Sequence, residues 1–505
     1  MNGIYKKNIN KKNAIILLIA ILFLGSFLRF YNLGYASIWY DEAVSWDQSR
    51  HSFYDLLIMT FKDNTPPLHN FILFFVIHNF GDSEFLLRLP SALFGSANII
   101  AIYWVGNLFA NRNVALISSF LLAISGFHIW YSQEARSYTL LCLISTIVVG
   151  SIVKILQGKS SDLWIFLSSF FSVLLLYSHV YGSFLYAGLL LAMFVIFLLN
   201  INQTNSHIKK WLYVQTITII LFIPAAIFLI KNYVYGISKG FWIPKLSYIS
   251  ISNELLGISL QSHGPGPGLQ IGLLLYVFLL IYFLNFFKKL KIKNFNIVNA
   301  LKENTFQKDF LLLTWFFGPL TIAIIISMLG SSILHHRYLI CILPALIIIA
   351  SIIIDKLRKK KIINFVFILI SVYLLGTLAY LRINNFYVYK FFDNAHDNRS
   401  AVSAYKNYGS NNDCILIYKG WWSVGLLYYL KDPPKCFIKL NDININSSEI
   451  IAAKKKKETF WFMITATNEE KKEEIKNIFD DFKNSGWKIT TPSPSATPIY
   501  RLNPE

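Results

Sequence analysis

Long apolar segments recur along the first three quarters of this chain, and they constrain its fold more than any other feature. The first runs from Ala14 to Phe30, and further segments are predicted at 89–109, 113–129, 138–156, 163–180, 183–200, 211–230, 269–287, 310–330, 338–355 and 362–381. A helix that crosses a bilayer needs about 20 predominantly apolar residues. The pattern therefore predicts an all-α polytopic membrane protein with about eleven transmembrane helices.

The composition agrees with a membrane protein. Only 15% of the 505 residues are charged, whereas soluble globular domains average about 25%. The net charge of +20 comes largely from lysines that cluster between apolar segments. That pattern is typical of membrane orientation and not of nucleic-acid binding. We expect membrane lipids, and no nucleic acid, among the partners.

The basic residues of the loops predict the orientation of the chain in the cell membrane. Loops rich in Lys and Arg alternate with poorer ones and share a side with the basic N-terminus; they contain Arg112, Lys159, Lys209, Lys210, 288–308 and 356–361. Because cytoplasmic loops carry the excess of Lys and Arg, we predict a cytoplasmic N-terminus. Loops 31–87 and 231–268 then lie outside, with the C-terminal region. Pro66–Phe80 is too short to cross and is predicted as an interfacial or re-entrant helix, since a crossing there would invert this topology.

The composition becomes more polar near residue 384. Short strands are predicted at Cys414–Tyr418, Cys436–Leu440, Phe460–Ile464 and Ile499–Leu502, with helices at Asp397–Tyr408 and Asn468–Asn484. We predict a transmembrane domain at 1–383, which includes the outer loop 31–87, and a small extracytoplasmic α/β domain at 384–505. Outside the cytoplasm, Cys414 and Cys436 either form a disulfide or remain two buried thiols.

Two adjacent carboxylates follow the first apolar segment, in the sequence Trp39-Tyr40-Asp41-Glu42. Taken alone, Asp41 and Glu42 are explained as the cap of a helix that continues from Ala43 to Arg50. Their predicted position on the outer face, among other polar residues, allows a second interpretation. A carboxylate placed there can act as a general base toward a hydroxyl group.

Other polar residues are predicted on the same face. Asp63 and His69 flank a Pro66-Pro67 pair, where a turn before a helix explains them, although both could also line a cavity. Glu134 and Arg136 lie in Ser132-Gln133-Glu134-Ala135-Arg136-Ser137-Tyr138. Arg136 either joins a buried ion pair or binds a phosphate, whose oxygens match the guanidinium fork.

A second cluster, His335-His336-Arg337-Tyr338, precedes the tenth predicted span. Two histidines and an arginine favour an anion site. A metal site is disfavoured, because adjacent histidines do not share a helix face. Arg29 and Arg88, near the ends of apolar segments, are expected to extend toward the membrane surface, although either could line the cavity.

Together these motifs resemble the membrane-embedded glycosyltransferases with the GT-C fold, in the branch of the protein O-mannosyltransferases and aminoarabinose transferases. The resemblance covers residues 14–385. It rests on Trp39-Tyr40-Asp41-Glu42, Pro66-Pro67-Leu68, Arg88-Leu89-Pro90-Ser91-Ala92, the segment 132–138, and Arg337-Tyr338 before a span that contains Pro344.

The resemblance implies an activity. A sugar, mannose-like or another hexose or pentose, would pass with inversion from a polyprenyl phosphate to an acceptor protein, lipid or cell-envelope glycan outside the cytoplasm. Asp41 would be the general base on the acceptor hydroxyl, and Glu42 would support it or shape the acceptor site. The donor phosphate would be held by Arg136, Arg337, Tyr338 and His336, and the substrate cavity would include Asp63, His69 and Glu134.

Two positions depart from the relatives. Some carry an acid five residues after the arginine of the 132–138 motif, where this chain has Leu141; Glu134 could replace it. Aminoarabinose-type members place an acid and a lysine before the Pro-Pro pair, at a position linked with metal, and here Asn64 and Thr65 stand there. We therefore assign no metal ligand and no firm cofactor, although a divalent metal stays possible, and aminoarabinose is disfavoured as the sugar.

Two other classes of protein have many spans. A transporter or flippase for a lipid-linked glycan is expected to show broken helices and internal duplication, and neither is visible in the sequence. A lipid-linked glycan polymerase or ligase typically has a large catalytic loop late in the chain, whereas the acidic loop here comes first. The sequence favours the transferase.

Overall fold

The computed structural model describes residues 9–63, 65–158, 161–199, 206–239, 243, 245–260, 269–292, 300–301, 303–357, 397–410, 413–418, 423–431, 437–440, 450–451, 455, 459–464, 469–491 and 499–504. The chain divides into two compact units. The first comprises Met1–Leu33, Ser52–Phe75 and Arg88–Leu378, and the second comprises Gly34–His51, Val76–Leu87 and Ala379–Glu505.

Helices account for most of the described chain before residue 358. In order they are α1 (Lys11–Phe30), α2 (Tyr40–Arg50), α3 (Phe53–Lys62), α4 (Leu68–Phe80), α5 (Glu84–Phe109), α6 (Arg112–Ala123), α7 (Gly126–Ser132), α8 (Tyr138–Leu156), α9 (Ser161–Ser178), α10 (Val180–Leu199), α11 (Ser206–Lys239), α12 (Tyr248–Leu260), α13 (Leu269–Ile292), α14 (Asn304–Leu329), a 3-10 helix (His336–Ile342) and α15 (Leu343–Leu357).

Seven helices in the described residues are long and apolar enough to cross a membrane, and the number is eight if α6 and α7 form one span. The count of eleven spans predicted from the sequence is not confirmed. The predicted span at 113–129 consists of two helices that meet at 60°, and the one at 362–381 lies outside the described residues. α4 is a short apolar helix of 13 residues, where the sequence predicts an interfacial or re-entrant helix.

The first unit has a buried centre and an apolar outer surface. α8, the 3-10 helix and α15 are largely enclosed by other helices, whereas most of the surface of α1 is exposed. Phe23 on α1 and Ile220 on α11 expose 75% and 62% of their surface. Exposed apolar side chains on a helix suit a lipid environment, where each backbone polar group is already paired within the helix.

Arg29 does not extend toward the membrane surface, and neither does Arg88. Both are buried. The Arg29 guanidinium donates hydrogen bonds to the carbonyl oxygens of Ala123 at 3.1 Å and Leu122 at 3.0 Å. These carbonyls end α6, where a helix leaves its last acceptors without intrahelical donors. Arg29 therefore stabilises the break between α6 and α7, a broken helix that the sequence did not indicate.

The second unit contains a five-stranded sheet in the order β2-β1-β3-β5-β4. Its strands are β1 (Cys414–Tyr418), β2 (Phe437–Leu440), β3 (Phe460–Ile464), β4 (Trp487–Thr490) and β5 (Ile499–Pro504). β1 runs parallel to β2 and β3, while β5 runs antiparallel to β3 and β4. The helices of this region are α16 (Asn398–Tyr408), α17 (Ser423–Leu430) and α18 (Glu469–Asn484).

Both faces of this sheet are covered. Alternate residues of a strand point to opposite faces, so Leu416 packs in one apolar cluster with Phe482 of α18. Ile415 packs in another with Ala401 of α16 and Leu426 of α17. Cys414 is disulfide-bonded, and Cys436, its proposed partner, lies outside the described residues. The α/β domain predicted from the sequence is confirmed as a fold.

The second unit also contains part of the segment 31–87. Gly34–His51 and Val76–Leu87 belong to it, although the sequence analysis places both within the domain at 1–383. Tyr428 of α17 packs edge-on against Trp46 of α2, with ring centroids 5.1 Å apart. Asn398 donates a hydrogen bond to the carbonyl oxygen of Ile38 at 3.0 Å. The domain boundary at 383 stays a prediction.

Candidate functional site

The segment that carries Glu134 and Arg136 is not helical, because α7 ends at Ser132 and α8 begins at Tyr138. The Ser91 hydroxyl donates to the carbonyl oxygen of Arg136 at 3.1 Å. The Trp130 indole donates to the Glu134 carboxylate at 2.6 Å. These hydrogen bonds fix the short connection between two helices of the first unit and so position the Arg136 side chain.

The structure brings Arg136 and Arg337 to the same aromatic ring. Each guanidinium carbon lies 6.0 Å from the centroid of the buried Tyr138. Arg337 also lies 5.1 Å from the Tyr338 centroid and donates to the Tyr338 hydroxyl at 3.2 Å. Stacking on an aromatic face holds a guanidinium in place while its N–H groups can still bind an anion.

Two buried imidazoles lie near these arginines. Burial lowers the pKa of His179 to about 3, and the charges of Arg136 and Arg337 act in the same direction. Burial also lowers the pKa of His69 to about 3, assisted by the charge of Arg136 and opposed by a hydrogen bond with Asn70. Both rings are therefore neutral near physiological pH, and the permanent positive charge comes from the arginines.

One ring nitrogen of His69, Nε2, is buried. This nitrogen makes no hydrogen bond within the part of the chain that the structure describes. Buried polar atoms in proteins are nearly always paired, so an exception calls for a partner such as water or a ligand. The charge of Arg136 acts on His69 within the first unit, and the place of His69 in a substrate cavity stays a prediction.

The acid pair belongs to the second unit, and its two members differ. Glu42 is fully buried, and its carboxylate accepts a hydrogen bond from the backbone N–H of Trp39 at 3.4 Å. Glu42 thus caps α2, as the first interpretation of the pair proposed. Asp41 is partly exposed, and its backbone carbonyl accepts a hydrogen bond from Ser45 at 3.1 Å.

Asp82 holds α2 to the C-terminal part of the second unit. Its carboxylate accepts hydrogen bonds from the Trp46 indole at 2.9 Å and from Lys431 at 2.6 Å, and its carbonyl accepts one from the Tyr428 hydroxyl at 2.6 Å. Burial acts to raise the pKa of Asp82, but the hydrogen bonds from Lys431 and Trp46 and the Lys431 charge outweigh it. The pKa therefore lies below its ordinary value.

The remaining predicted residues lie in the first unit. Asp63 ends α3, and its carbonyl oxygen accepts a hydrogen bond from Asn232 at 3.0 Å. The Tyr338 ring lies among the rings of His179, Tyr181 and His335, with centroids 5.0, 5.6 and 5.5 Å away. Tyr338 lies directly beside Arg337, and the chemical role of Asp63 stays a prediction.

Glu254 is a residue that the sequence analysis did not select. It lies on α12, and its carboxylate accepts hydrogen bonds from His336 Nδ1 at 2.7 Å and from the His336 backbone N–H. Glu254, His335 and His336 form the one group in the described residues whose side chains could jointly hold a metal ion. No signal in a short window of the sequence could have selected it, because its contact with His336 spans 82 residues.

These residues can bind an anion. Two arginines, a tyrosine hydroxyl and neutral histidines favour a phosphate group over a cation at Tyr138, since guanidinium forks match phosphate oxygens. In the second unit, Asp41 is a partly exposed carboxylate, as are Asp47 and Asp82.

A family comparison matches part of the chain. Residues 64–228, about a third of the sequence, match the model of the family described as dolichyl-phosphate-mannose-protein mannosyltransferase. This region includes His69, Arg136 and His179, while Asp41 and Arg337 lie outside it. Comparison with the curated proteins finds no significant match.

Comparison with solved structures identifies the fold. ArnT from Cupriavidus metallidurans in the apo state is similar with a TM-score of 0.60 at 12% identity, over 97% of this chain and 98% of that one. The same protein bound to undecaprenyl phosphate gives a TM-score of 0.54 at 12% identity, over 98% of both chains. An Archaeoglobus fulgidus oligosaccharyltransferase tethered with an acceptor peptide gives 0.50 at 11% identity, over 90% of this chain and 69% of that one. This chain is a multi-pass membrane protein with the GT-C glycosyltransferase fold.

Proposed function

We propose that this protein transfers a sugar from a polyprenyl phosphate to a hydroxyl-bearing acceptor on the extracytoplasmic face of the membrane. The observation that carries the proposal is the placement of Arg136 and Arg337 at equal distances from the Tyr138 ring. The match of residues 64–228 to a mannosyltransferase family supports it, as does the similarity in fold to an ArnT structure bound to undecaprenyl phosphate.

The donor phosphate would be bound by Arg136 and Arg337, with the Tyr338 hydroxyl as a further donor of a hydrogen bond. Both arginines stay charged throughout the reaction, because guanidinium groups do not lose their proton in proteins. His69 Nε2, which has no partner among the described residues, could form a hydrogen bond with the bound substrate. His336 would also bind the donor phosphate, and Glu134 and Asp63 would line the substrate cavity with His69.

The transfer would be a single displacement. The Asp41 carboxylate removes the proton of the acceptor hydroxyl, the hydroxyl oxygen attacks the anomeric carbon of the sugar, and the bond from that carbon to the phosphate oxygen breaks. The polyprenyl phosphate leaves with the electron pair, and the arginines stabilise its charge. Attack opposite to the leaving group inverts the anomeric configuration. Asp41 ends the step protonated and returns its proton to solvent.

The same proposal gives broad classes for the acceptor and for the sugar. A site on the outer face would meet proteins, lipids or cell-envelope glycans, and the donor would carry a mannose-like sugar or another hexose or pentose. Mass spectrometry of surface glycans and glycoproteins from cells with and without the chain would identify both together. A modification that disappears with the chain is the expected result.

The assignment of the base is tested with Asp41→Asn. We expect sugar transfer to fall by about 100-fold or more, the usual contribution of a general base, while binding of undecaprenyl phosphate is unchanged. The assay measures transfer from radiolabelled polyprenyl-phosphate sugars to the acceptors in native membranes. Asp47→Asn is the matched control, because Asp47 lies on the same helix and pairs with Arg50 at 2.9 Å. Full activity of Asp41→Asn would refute the role of Asp41.

A further inference from the structure

Glu254, His335 and His336 form a compact group in the first unit. One ligand atom from each residue lies within 4.8 Å of the other two. His335 and His336 are 9% and 7% exposed, and the Glu254 side chain is 20% exposed. The group therefore combines one carboxylate with two imidazoles in a place with little access to water.

The backbone explains why two adjacent histidines can face the same side. His335 precedes the 3-10 helix and has an extended conformation, with φ −147° and ψ 135°. The argument that neighbouring residues diverge on a helix does not apply at this junction, and the two ring centroids lie 4.3 Å apart. The reason for disfavouring a metal site, that adjacent histidines do not share a helix face, therefore does not hold here.

α12 brings the carboxylate to these rings. Gly257 on α12 faces His336 so closely that a Cβ at this position would lie 2.9 Å from the His336 Cβ. The absence of a side chain on Gly257 lets the helix approach, and Glu254 lies almost one turn earlier on the same helix. The contact thus joins an outer-loop helix to the segment that carries Arg337 and Tyr338.

Two imidazoles and one glutamate are the ligand set of several zinc sites, in which a water or substrate completes the tetrahedron. With metal–ligand distances of about 2.1 Å, the ligand atoms of such a site lie about 3.4 Å apart. Rotation of the side chains about their χ angles would bring the present spacings, which include 2.7 Å between His336 Nδ1 and Glu254 and do not exceed 4.8 Å, to this value. The cation would replace the proton between His336 Nδ1 and Glu254, because metal ligands bind in their deprotonated forms.

We propose that Glu254, His335 and His336 bind a divalent cation of the Zn²⁺ class, which cross-links α12 to the segment that carries Arg337. Imidazole ligands favour Zn²⁺ over the oxygen-preferring Mg²⁺ and Ca²⁺. The bound cation would position Arg337 and Tyr338 indirectly, by fixing the backbone that precedes them. This site is separate from Asn64 and Thr65, the positions at which aminoarabinose-type relatives are linked with metal.

Zinc binding by the purified full-length protein in detergent tests the proposal. After treatment with a chelator and dialysis, we expect the protein to take up one Zn²⁺ per chain and to gain thermal stability with added ZnCl₂, since a ligand that binds the folded state stabilises it. Glu254→Gln and His335→Gln should weaken Zn²⁺ binding by at least about 10- to 100-fold, the loss caused by removing even an outer partner of a metal ligand. Excess MgCl₂ should not displace the zinc.

His179→Gln is the matched control, because it removes a buried histidine that also lies beside Tyr338 without removing a ligand. Glu254→Gln can still accept a hydrogen bond from the His336 backbone, so its unfolding temperature with EDTA should match that of the wild type. A wild-type protein that takes up no Zn²⁺, or a Glu254→Gln variant that takes up as much, would show that Glu254 only forms a hydrogen bond with His336. Neither measurement depends on sugar transfer.

Discussion

Arg399 donates two hydrogen bonds to one carboxylate oxygen of Glu84, from Nε at 3.2 Å and from Nη2 at 2.7 Å, across 315 residues of sequence. Its guanidinium also donates to the carbonyl oxygens of Gly34, Tyr35 and Ala36, at 3.2, 3.0 and 3.3 Å. One side chain from the C-terminal region thus fixes the backbone just before Asp41. The small α/β fold has a positioning role within the second unit.

Replacing Arg399 should loosen this loop. We expect Arg399→Ala to lower the local free energy of unfolding around Gly34–Ala36 by about 2 kcal/mol, because hydrogen bonds from a charged group are lost. Arg399→Lys keeps the positive charge but loses the forked guanidinium, so it should lose most of the same local free energy of unfolding. Hydrogen exchange of the Gly34–His51 backbone measures this local free energy of unfolding. Equal exchange in wild type and Arg399→Ala would contradict the positioning role.

The pKa of Asp82 predicts a pH dependence. Because the folded-state pKa lies below the ordinary 3.8, the ionised carboxylate stabilises the folded state at neutral pH, and this contribution is lost as the pH falls through the lowered pKa. Asp82→Asn should therefore unfold at a lower temperature than wild type at neutral pH, with a difference that shrinks in strong acid. Asp55→Asn, on an exposed helix start, is the comparison. If the difference in unfolding temperature between wild type and Asp82→Asn stayed constant with pH, the lowered pKa of Asp82 would not be its cause.

The donor site predicts distinct effects for the arginines and for Tyr138. Arg136→Ala and Arg337→Ala should each reduce kcat/KM for the polyprenyl-phosphate sugar by about 100-fold, the cost typical of losing one stabilising donor at a developing charge. Tyr138→Phe keeps the ring on which both arginines stack and should lose much less, whereas Tyr138→Leu should resemble the arginine variants. Steady-state kinetics distinguish these cases. If Tyr138→Phe and Tyr138→Leu were equally active, the stacking would have no role.

Gly182 should not tolerate a side chain. A Cβ there would lie 2.2 Å from the carbonyl oxygen of Leu175, which is backbone and cannot turn away. Gly182→Ala should cost about 1–3 kcal/mol, as overpacking does elsewhere, and should disturb His179, whose carbonyl accepts from the Gly182 N–H at 2.8 Å. Gly318→Ala, with its nearest contact at 3.5 Å, is the control. The unfolding temperatures of the two variants in detergent provide the measurement.

The local sequence pattern was sufficient to predict the central strands of the sheet. Cys414–Tyr418 and Phe460–Ile464 are strands with the bounds predicted, because alternate apolar residues bury both faces, Leu416 and Phe462 on one and Ile417 and Trp461 on the other. Trp487–Thr490 was not predicted. It has only four residues, follows the turn at Gly486, and is defined by its pairing with Ile499–Pro504. Ser423–Leu430 was also missed, since eight residues are too few for a helical period.

The candidate site also contains residues that short motifs identify and contacts that only the fold creates. Arg136 and Arg337 could be selected from short motifs, since each lies beside a predicted span. Their meeting at Tyr138 required the fold. Glu254 could not be selected, because the contact with His336 spans 82 residues and no local pattern marks it. Long-range contacts of this kind depend on how helices pack and are not encoded in any short window.

The second unit has a consequence for biosynthesis. It joins Gly34–His51 to the segment that starts at Ala379, which is made later. Chains are synthesised from the N-terminus at a finite rate, so the acidic loop is made well before Arg399 and Lys431 exist. β5, which lies between β3 and β4 in the sheet, comes from the final six described residues. A nascent chain that stops short of Ile499 therefore lacks an inner strand, and the loop with Asp41 acquires the support of the complete sheet only after β5 has been made.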